Sequence, residues 1–175
     1  MDVTWTNPPH PSTLDEAALL DLCERSTQRT SGPGGQHRNK VETAVFLRHE
    51  STGIEAHAGE RRSVHENAPV ALRRLRLALA VGVRCAVAEG DQRSALWKSR
   101  CDARGRVACN PEHWDYPALL AEAMDNLWAC GLDPRPAALR LTCSASQLVR
   151  LVKDHPPALA LLNAARRAEG LHALR

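Results

Sequence analysis

Residues 29–40 read RTSGPGGQHRNK and combine a glycine-rich turn with polar and charged side chains. No large apolar residue occurs among them, so they contribute almost nothing to a hydrophobic core. Gly34 and Gly35 leave the main chain open to close approach because no Cβ stands in the way, and Pro33 restricts φ directly before them. The composition indicates a main-chain tip presented to an anionic partner. The alternative is an ordinary Gly-Pro surface turn.

The residue types in this tip favour one kind of catalysis. No Ser/His/Asp or Cys/His grouping occurs locally, and the neutral amide of Gln36 is neither a general acid nor a general base. A main-chain N–H at residue 36 can instead donate a hydrogen bond to an oxyanion or to a leaving oxygen. Such a tip suits the hydrolysis of an ester whose surroundings bring their own hydroxyl groups.

Positive charge is concentrated around this tip. The chain of 175 residues has a formal net charge of +3, and between Arg29 and Arg84 ten Lys and Arg face five Asp and Glu. A phosphate-rich partner fits that excess, although a solvated basic face would show it too. Only six aromatic residues are present, which argues against a base-stacking platform for RNA.

The remaining composition excludes several other classes. No stretch approaches about 18 consecutive apolar residues, so no transmembrane helix is expected. The first residues lack the features of a secretory or transit signal, and we expect a cytoplasmic protein. The six cysteines form no CxxC and are interpreted as reduced thiols. Cys101, Cys109 and His113 are loosely spaced like metal ligands without an evident fourth partner, so we predict no metal and no other cofactor.

The elements that must position the tip follow from the patterns on either side of it. A polar, alternating run over 22–30 predicts a strand that leads into the loop. Alternation over 45–49 predicts a half-buried strand after it. A turn at 51–53 then leads to a returning strand over 54–58. We therefore expect the loop to connect two strands of a small antiparallel sheet.

Before the sheet, residues 1–12 are expected to form a poorly ordered arm. The capping-box pattern from Thr13 to Glu16 predicts a short helix that begins near Leu14.

After the sheet, a helix over 70–84 carries two apolar stripes and should have two neighbours. Its start has two interpretations. Ser63 caps a helix that kinks at Pro69, or Asn67 caps a helix whose first turn includes Pro69; we favour the second. Three arginines between the stripes are expected to form a solvated face rather than a binding site: Arg73, Arg76 and Arg84.

The C-terminal half begins with a basic, irregular stretch over 86–114, and the rest reads as helices. Asp115 precedes a helix that Gly131 ends, and further helices are expected over 134–141, 144–154 and from Pro156 to Gly170. The predicted fold class is therefore α+β: a small antiparallel sheet with a packed helix carries the loop, and an all-helical C-terminal region follows.

Two of the C-terminal helices resemble a helix-turn-helix. They are short, joined by a tight turn at Thr142, and the second begins with the polar residues from Ser144 to Gln147. The usual turn glycine is a threonine here. The sequence leaves two interpretations of this pair of helices: contact with nucleic acid, or a plain helix-helix packing unit.

The string from Ser31 to Lys40 resembles the Gly-Gly-Gln motif in the catalytic domain of class I peptide chain release factors. The likeness continues in order through Thr43-Ala44-Val45, Leu47-Arg48-His49 and Ser51-Thr52-Gly53-Ile54, and then through Arg61-Arg62-Ser63 and Asn67. It covers about residues 22 to 84. Most relatives have Ala where Pro33 stands, Gln is common at Val64 and Lys at Ala68.

The resemblance implies a substrate and a set of site residues. The catalytic tip would be Gly34, Gly35 and Gln36, which hydrolyse the peptidyl-tRNA ester in the peptidyl-transferase centre. Gln36 would be a candidate for N5-methylation by a dedicated glutamine methyltransferase. The residues implied in contacts with RNA, with a solvated loop as the alternative, are Ser31, Gly32, His37, Arg38, Asn39, Lys40, Arg61 and Arg62.

Nothing in the chain resembles the stop-codon-reading segment of full-length release factors. The shorter relatives are ribosome-rescue peptidyl-tRNA hydrolases. We therefore expect a catalytic domain over 1–90 and a helical domain for RNA or ribosome recognition over 91–175. The expected function is codon-independent peptide release on stalled ribosomes.

The expected partners are large-subunit ribosomal RNA and P-site peptidyl-tRNA, without a membrane, and the protein is expected to be monomeric off the ribosome. One alternative is a non-catalytic accessory factor that binds ribosomes or RNA. A DNA-binding regulator, suggested by the helix-turn-helix pattern, is a third hypothesis.

Overall fold

A computed structural model gives the structure of the protein and describes residues 3–29, 42–91, 93–102 and 104–175. These residues form two compact units, one over 11–79 and one that combines 1–10 with 80–175. The predicted loop from Ser31 to Lys40 lies outside the described residues, together with every site residue predicted in it.

The elements, in chain order, confirm the predicted α+β class. They are β1 (Thr4–Thr6), a 3₁₀ helix (Pro11–Thr13), α1 (Glu16–Leu20), β2 (Cys23–Gln28), β3 (Ala44–His49), β4 (Glu55–Ala58), α2 (Val64–Gly82), β5 (Val83–Cys85), α3 (Ala95–Arg100), α4 (Tyr116–Ala129), α5 (Pro134–Arg140), α6 (Ala145–Lys153) and α7 (Pro156–Ala168).

Three of the strands form the predicted antiparallel sheet, in the order β2-β3-β4. Val45 pairs with Ala58, and both are fully buried, whereas Arg48 pairs with Glu55 and is exposed. Side chains of a strand alternate between faces, so β3 presents one apolar face to the core. Gly53 has φ +68° in the turn before β4, a conformation that glycine adopts without a steric cost.

The favoured prediction for the start of helix α2 was wrong. The helix begins at Val64, and Ser63 caps it by accepting a hydrogen bond from the main-chain N–H of Glu66 at 3.2 Å. Pro69 therefore lies inside the helix rather than in its first turn. Asn67 cannot be the cap because its side chain is buried and bound to other main-chain groups.

The N-terminus differs from the predicted arm. β1 pairs in parallel with β5, with Thr4 opposite Val83, so the end of the predicted helix over 70–84 is a strand instead. Thr and Trp favour strands, and a short pairing of this kind carries no periodicity that a sequence pattern can reveal. The first helix is capped by Asp15, which accepts from the N–H of Ala18 at 2.8 Å, and not by Thr13.

Two of the arginines predicted on a solvated helix face are buried. Arg76 donates to the carbonyl oxygens of Ser12 and Leu14, which ties α2 to the chain before α1. Arg84 is fully buried beside Asp125, with Nη1 and Oδ1 3.2 Å apart. Burial lowers the pKa of Arg84 to about 10, so its guanidinium is still charged at neutral pH.

The C-terminal helices lie close to their predicted positions. α4 is buried along most of its length and packs against α5 and α6. The stretch predicted to be irregular contains α3, whose Trp97 is fully buried and donates from Nε1 to the carbonyl of Leu141 at 2.9 Å. In the part of the chain that the structure describes, no helix is long and apolar enough to cross a membrane.

Candidate active-site loop and its support

The loop is attached at one end of the sheet, where β2 and β3 are paired neighbours. Gln28, the last residue of β2, lies opposite Ala44, the first residue of β3. One residue beyond β2 and two before β3, Arg29 Nε and Glu42 Oε1 are 3.6 Å apart. The chain therefore leaves the sheet and returns to it at the same place. The segment with Gly34-Gly35-Gln36 connects these two neighbouring points.

The two strands that hold the loop differ in their environment. β2 is an edge strand, and its residues from Glu24 to Gln28 are all exposed. On the returning side, Thr43, Ala44 and Val45 are buried. The ion pair between Arg29 and Glu42 is exposed and contributes little stability. Of the two described ends of the connection, the returning side is therefore the better buried.

Asn67 supplies the main polar contact at that end. Its Nδ2 donates to the carbonyl of Thr43 at 2.7 Å and to the carbonyl of Arg61 at 3.1 Å. Its Oδ1 accepts from the main-chain N–H of Arg61 at 3.0 Å. Asn67 is fully buried, and buried polar groups are costly when they lack partners. This side chain thus holds the turn before α2 against the end of the loop.

The same contacts place two predicted RNA-binding residues. Arg61 and Arg62 are exposed on the turn that Asn67 binds, next to the chain that returns from the loop. Among the described residues, neither arginine has an acidic partner within ion-pair distance. Their charge is therefore available to an anion from outside the protein.

Two other arginines of this unit are paired with acidic side chains of the protein itself. Arg48 lies 3.3 Å from both Glu24 and Glu55. Arg74 contacts Glu60 at 2.7 Å, and this hydrogen bond lowers the pKa of the Glu60 carboxyl, which keeps it charged. Among the described residues of this unit, Arg61 and Arg62 are exposed without an acidic partner, as is Arg25 on β2.

The two histidines of the sheet, His49 and His57, have structural contacts. His49 is buried, and its Nδ1 lies 2.8 Å from Thr52 Oγ1. Burial lowers its pKa, so the ring is neutral at neutral pH. His57 stacks on Phe46 with ring centroids 4.9 Å apart.

The described residues on either side of the loop hold the two ends of the connection and supply positive charge. Within residues 3–29, 42–91, 93–102 and 104–175, no group of three or more His, Cys, Asp or Glu is arranged to hold a metal ion. The described residues next to the loop supply main-chain groups, the amide of Asn67, the exposed arginines Arg61 and Arg62, and the ion pair between Arg29 and Glu42. This surrounding suits a main-chain donor at the tip that acts on an anionic RNA-linked substrate.

Comparison with known proteins assigns this part of the chain to a family. Residues 20–106 match the RF-1 domain, and the chain belongs through this domain to the class I peptide chain release factor family. No solved structure matches the chain at a significant level.

Three relatives illustrate the extent of the similarity. The chain is 41% identical over 70 residues to peptide chain release factor 2 of Buchnera aphidicola, a match that covers 38% of this chain and 19% of that protein. It is 39% identical over 67 residues to a probable mitochondrial peptide chain release factor 1 of Caenorhabditis elegans, covering 38% and 17%. It is 44% identical over 55 residues to a peptide chain release factor homolog of Escherichia coli, covering 31% and 27%. The chain therefore spans about a quarter or less of the length of these relatives.

Replacement of Asn67 by alanine tests the support of the loop. We expect the N–H of Arg61 to lose its acceptor and the carbonyl of Thr43 to lose its donor, which costs about 1–3 kcal/mol of local stability. Amide hydrogen exchange of Arg61 should accelerate by about 5- to 150-fold, and exchange should also rise at the start of β3.

Asn163→Ala is the matched control. Asn163 also binds main-chain groups through both amide atoms, at the N–H and carbonyl of Leu174. This variant should accelerate exchange at Leu174 and leave Arg61 unchanged. Unchanged exchange at Arg61 in Asn67→Ala would show that another contact holds the turn.

Proposed function

We propose that the protein hydrolyses the ester of peptidyl-tRNA on the ribosome and so releases the nascent chain. The observation that carries this proposal is the position of the Gly-Gly-Gln string. In the sequence it lies between the paired strands β2 and β3 of an RF-1 domain.

The proposed chemistry depends on the main chain of the tip. Water attacks the ester carbonyl carbon, the bond to the ribose oxygen of the tRNA breaks, and that oxygen takes up a proton. The main-chain N–H of Gln36 donates a hydrogen bond to the oxyanion or to the leaving ribose oxygen, on which negative charge develops. Gly34 and Gly35 allow the approach because they carry no Cβ. The Gln36 side chain shapes the space for the water.

The neighbouring residues have supporting roles in this proposal. Arg61 and Arg62 contact RNA phosphates, and the polar loop residues on either side of the tip contact phosphates or sugars. The reasons are the exposure of both arginines and the absence of an acidic partner for them among the described residues. N5-methylation of Gln36 by a glutamine methyltransferase is part of the same proposal, since the motif is the one that carries the mark in the family.

We further propose that release does not require a stop codon. Residues 1–90 would act as the catalytic domain and residues 91–175 as a domain that recognises RNA or the ribosome. The helices α4 to α7 occupy most of the second region, and no sequence there resembles the stop-reading segment. The family match ends at residue 106, so the region after it serves recognition of another kind.

Two replacements at residue 36 separate the main chain from the side chain. Gln36→Pro removes the N–H, and we expect the rate of peptide release at saturating protein to fall by at least about 10²–10³-fold, as for loss of one oxyanion donor. Gln36→Ala keeps the N–H and should lose less. Release is measured on ribosomes with radiolabelled peptidyl-tRNA.

Gly35→Ala adds a Cβ next to the same amide and should also slow release. Wild-type rates in all three variants would discard the hydrolase proposal. If the wild-type protein bound ribosomes without releasing peptide, the accessory-factor alternative would be favoured instead.

A second assay tests independence from the stop codon. Release is compared on ribosomes whose A site holds a stop codon, a sense codon or no message. We expect the stop codon to give no advantage over the other two. Release confined to stop-codon complexes would contradict the proposal and indicate ordinary termination.

A further inference from the structure

A tight turn in the helical unit brings two arginines to its tip. Cys101 and Val107 form an antiparallel bridge, and the N–H of Gly105 donates to the carbonyl of Asp102 at 2.9 Å. The Asp102 carboxylate accepts from the main-chain N–H of both Arg104 and Arg106, each at 2.9 Å. The turn is therefore closed by its own hydrogen bonds, and both arginines are exposed. We call residues 101–102 and 104–107 the basic turn.

The basic turn is docked on the helix-turn-helix. The N–H of Val107 donates to Gln147 Oε1 of α6 at 2.8 Å. Gly105 packs so closely that a Cβ there would lie 2.8 Å from the carbonyl oxygen of Thr142. Thr142 itself has φ +53°, in the position where a helix-turn-helix usually has glycine. The turn, the α5–α6 connection and the start of α6 thus form one rigid group.

Helix α6 presents a polar face beside this turn. Leu148, Leu151 and Val152 are buried, and the opposite face exposes Ser146, Arg150 and Lys153. The buried side of α6 is bound to α4, because the hydroxyl of Tyr116 in α4 donates to the carbonyl of Leu151 at 2.7 Å.

A groove of about 690 Å³ separates the basic turn from this face of α6. Arg106 and Arg150 line it, together with Asp102 and Asp154. Arg106 is paired with Asp102 at 2.8 Å.

Three further basic side chains of the basic turn and of α6 have no such partner. Within the described part of the chain, Arg104, Arg150 and Lys153 have no acidic group at ion-pair distance. Exposed positive charge therefore lies on the basic turn and on α6, beside a groove whose lining combines two arginines with two aspartates and contains no aromatic residue.

We propose that the basic turn and the exposed face of α6 form a binding surface for double-helical RNA, in addition to the contacts of the loop. Arginines on the basic turn and on α6 suit contacts with phosphates of the two strands of a duplex. The absence of an aromatic residue in the groove disfavours unpaired bases, which need a stacking surface. That the duplex is ribosomal or transfer RNA rests on the proposed function; the surface itself does not.

The test measures binding of the full chain to a fluorescent RNA duplex of about 16 base pairs, by anisotropy at several salt concentrations. Arg104→Ala and Arg150→Ala should each weaken binding by about tenfold. Each should also reduce the slope of log K against log salt by about one. Arg150→Lys keeps the charge and should retain most of the affinity.

Arg135→Ala is the matched control, because Arg135 is an exposed arginine on α5 that belongs neither to the basic turn nor to α6. It should bind the duplex like the wild-type protein. An equal loss in Arg135→Ala, or no loss in either groove variant, would overturn the proposal. Tighter binding to DNA of the same sequence, or to single-stranded RNA, would overturn it as well.

The two proposals fail separately. Gln36→Ala should bind the duplex normally, and Arg150→Ala should raise the protein concentration for half-maximal peptide release without changing the saturating rate. A fall in the saturating rate of Arg150→Ala would contradict a binding role. Circular dichroism and thermal unfolding confirm that each variant is folded.

Discussion

The buried amide of Asn67 makes three main-chain hydrogen bonds, two to Arg61 and one to Thr43. The rest of the candidate site depends on them, because they join the returning end of the loop to the start of α2. The strand β2 on the other side is exposed and offers no comparable anchor. A main-chain catalyst needs a fixed position more than it needs an acid or a base.

Much of the fold of the N-terminal half, which carries the Gly-Gly-Gln string, could be predicted from its sequence. The alternation in β3 reports burial on one face, which is the physical reason why the strand and its partner could be placed. The start of α2 could not be placed correctly, since both Ser63 and Asn67 are good N-cap residues. Only the fold shows that Asn67 is needed elsewhere. Arg76 and Arg84 were missed for a related reason, because a buried arginine looks like a surface one until its carbonyl or carboxylate partners are known.

The helical half was predictable as a set of helices but not as a surface. Proline, glycine and capping residues mark helix ends locally, and α4 to α7 follow those marks. The basic turn depends on contacts between Val107 and Gln147 and between Gly105 and Thr142. These residues are about 40 positions apart, and no periodic pattern connects them. If both proposals hold, one chain combines a family catalytic loop with a separate RNA-binding surface.

The most direct measurement of the central claim is the structure of the protein on a ribosome, by electron cryomicroscopy, with an amide-linked peptidyl-tRNA that cannot be hydrolysed in the P site. The account predicts that the main-chain nitrogen of residue 36 lies at hydrogen-bond distance, about 3 Å, from the carbonyl oxygen of the amide link. It also predicts that the Asn67 contacts to Thr43 and Arg61 are intact. A complex in which residue 36 is away from that link, or packed against its own domain, would contradict it.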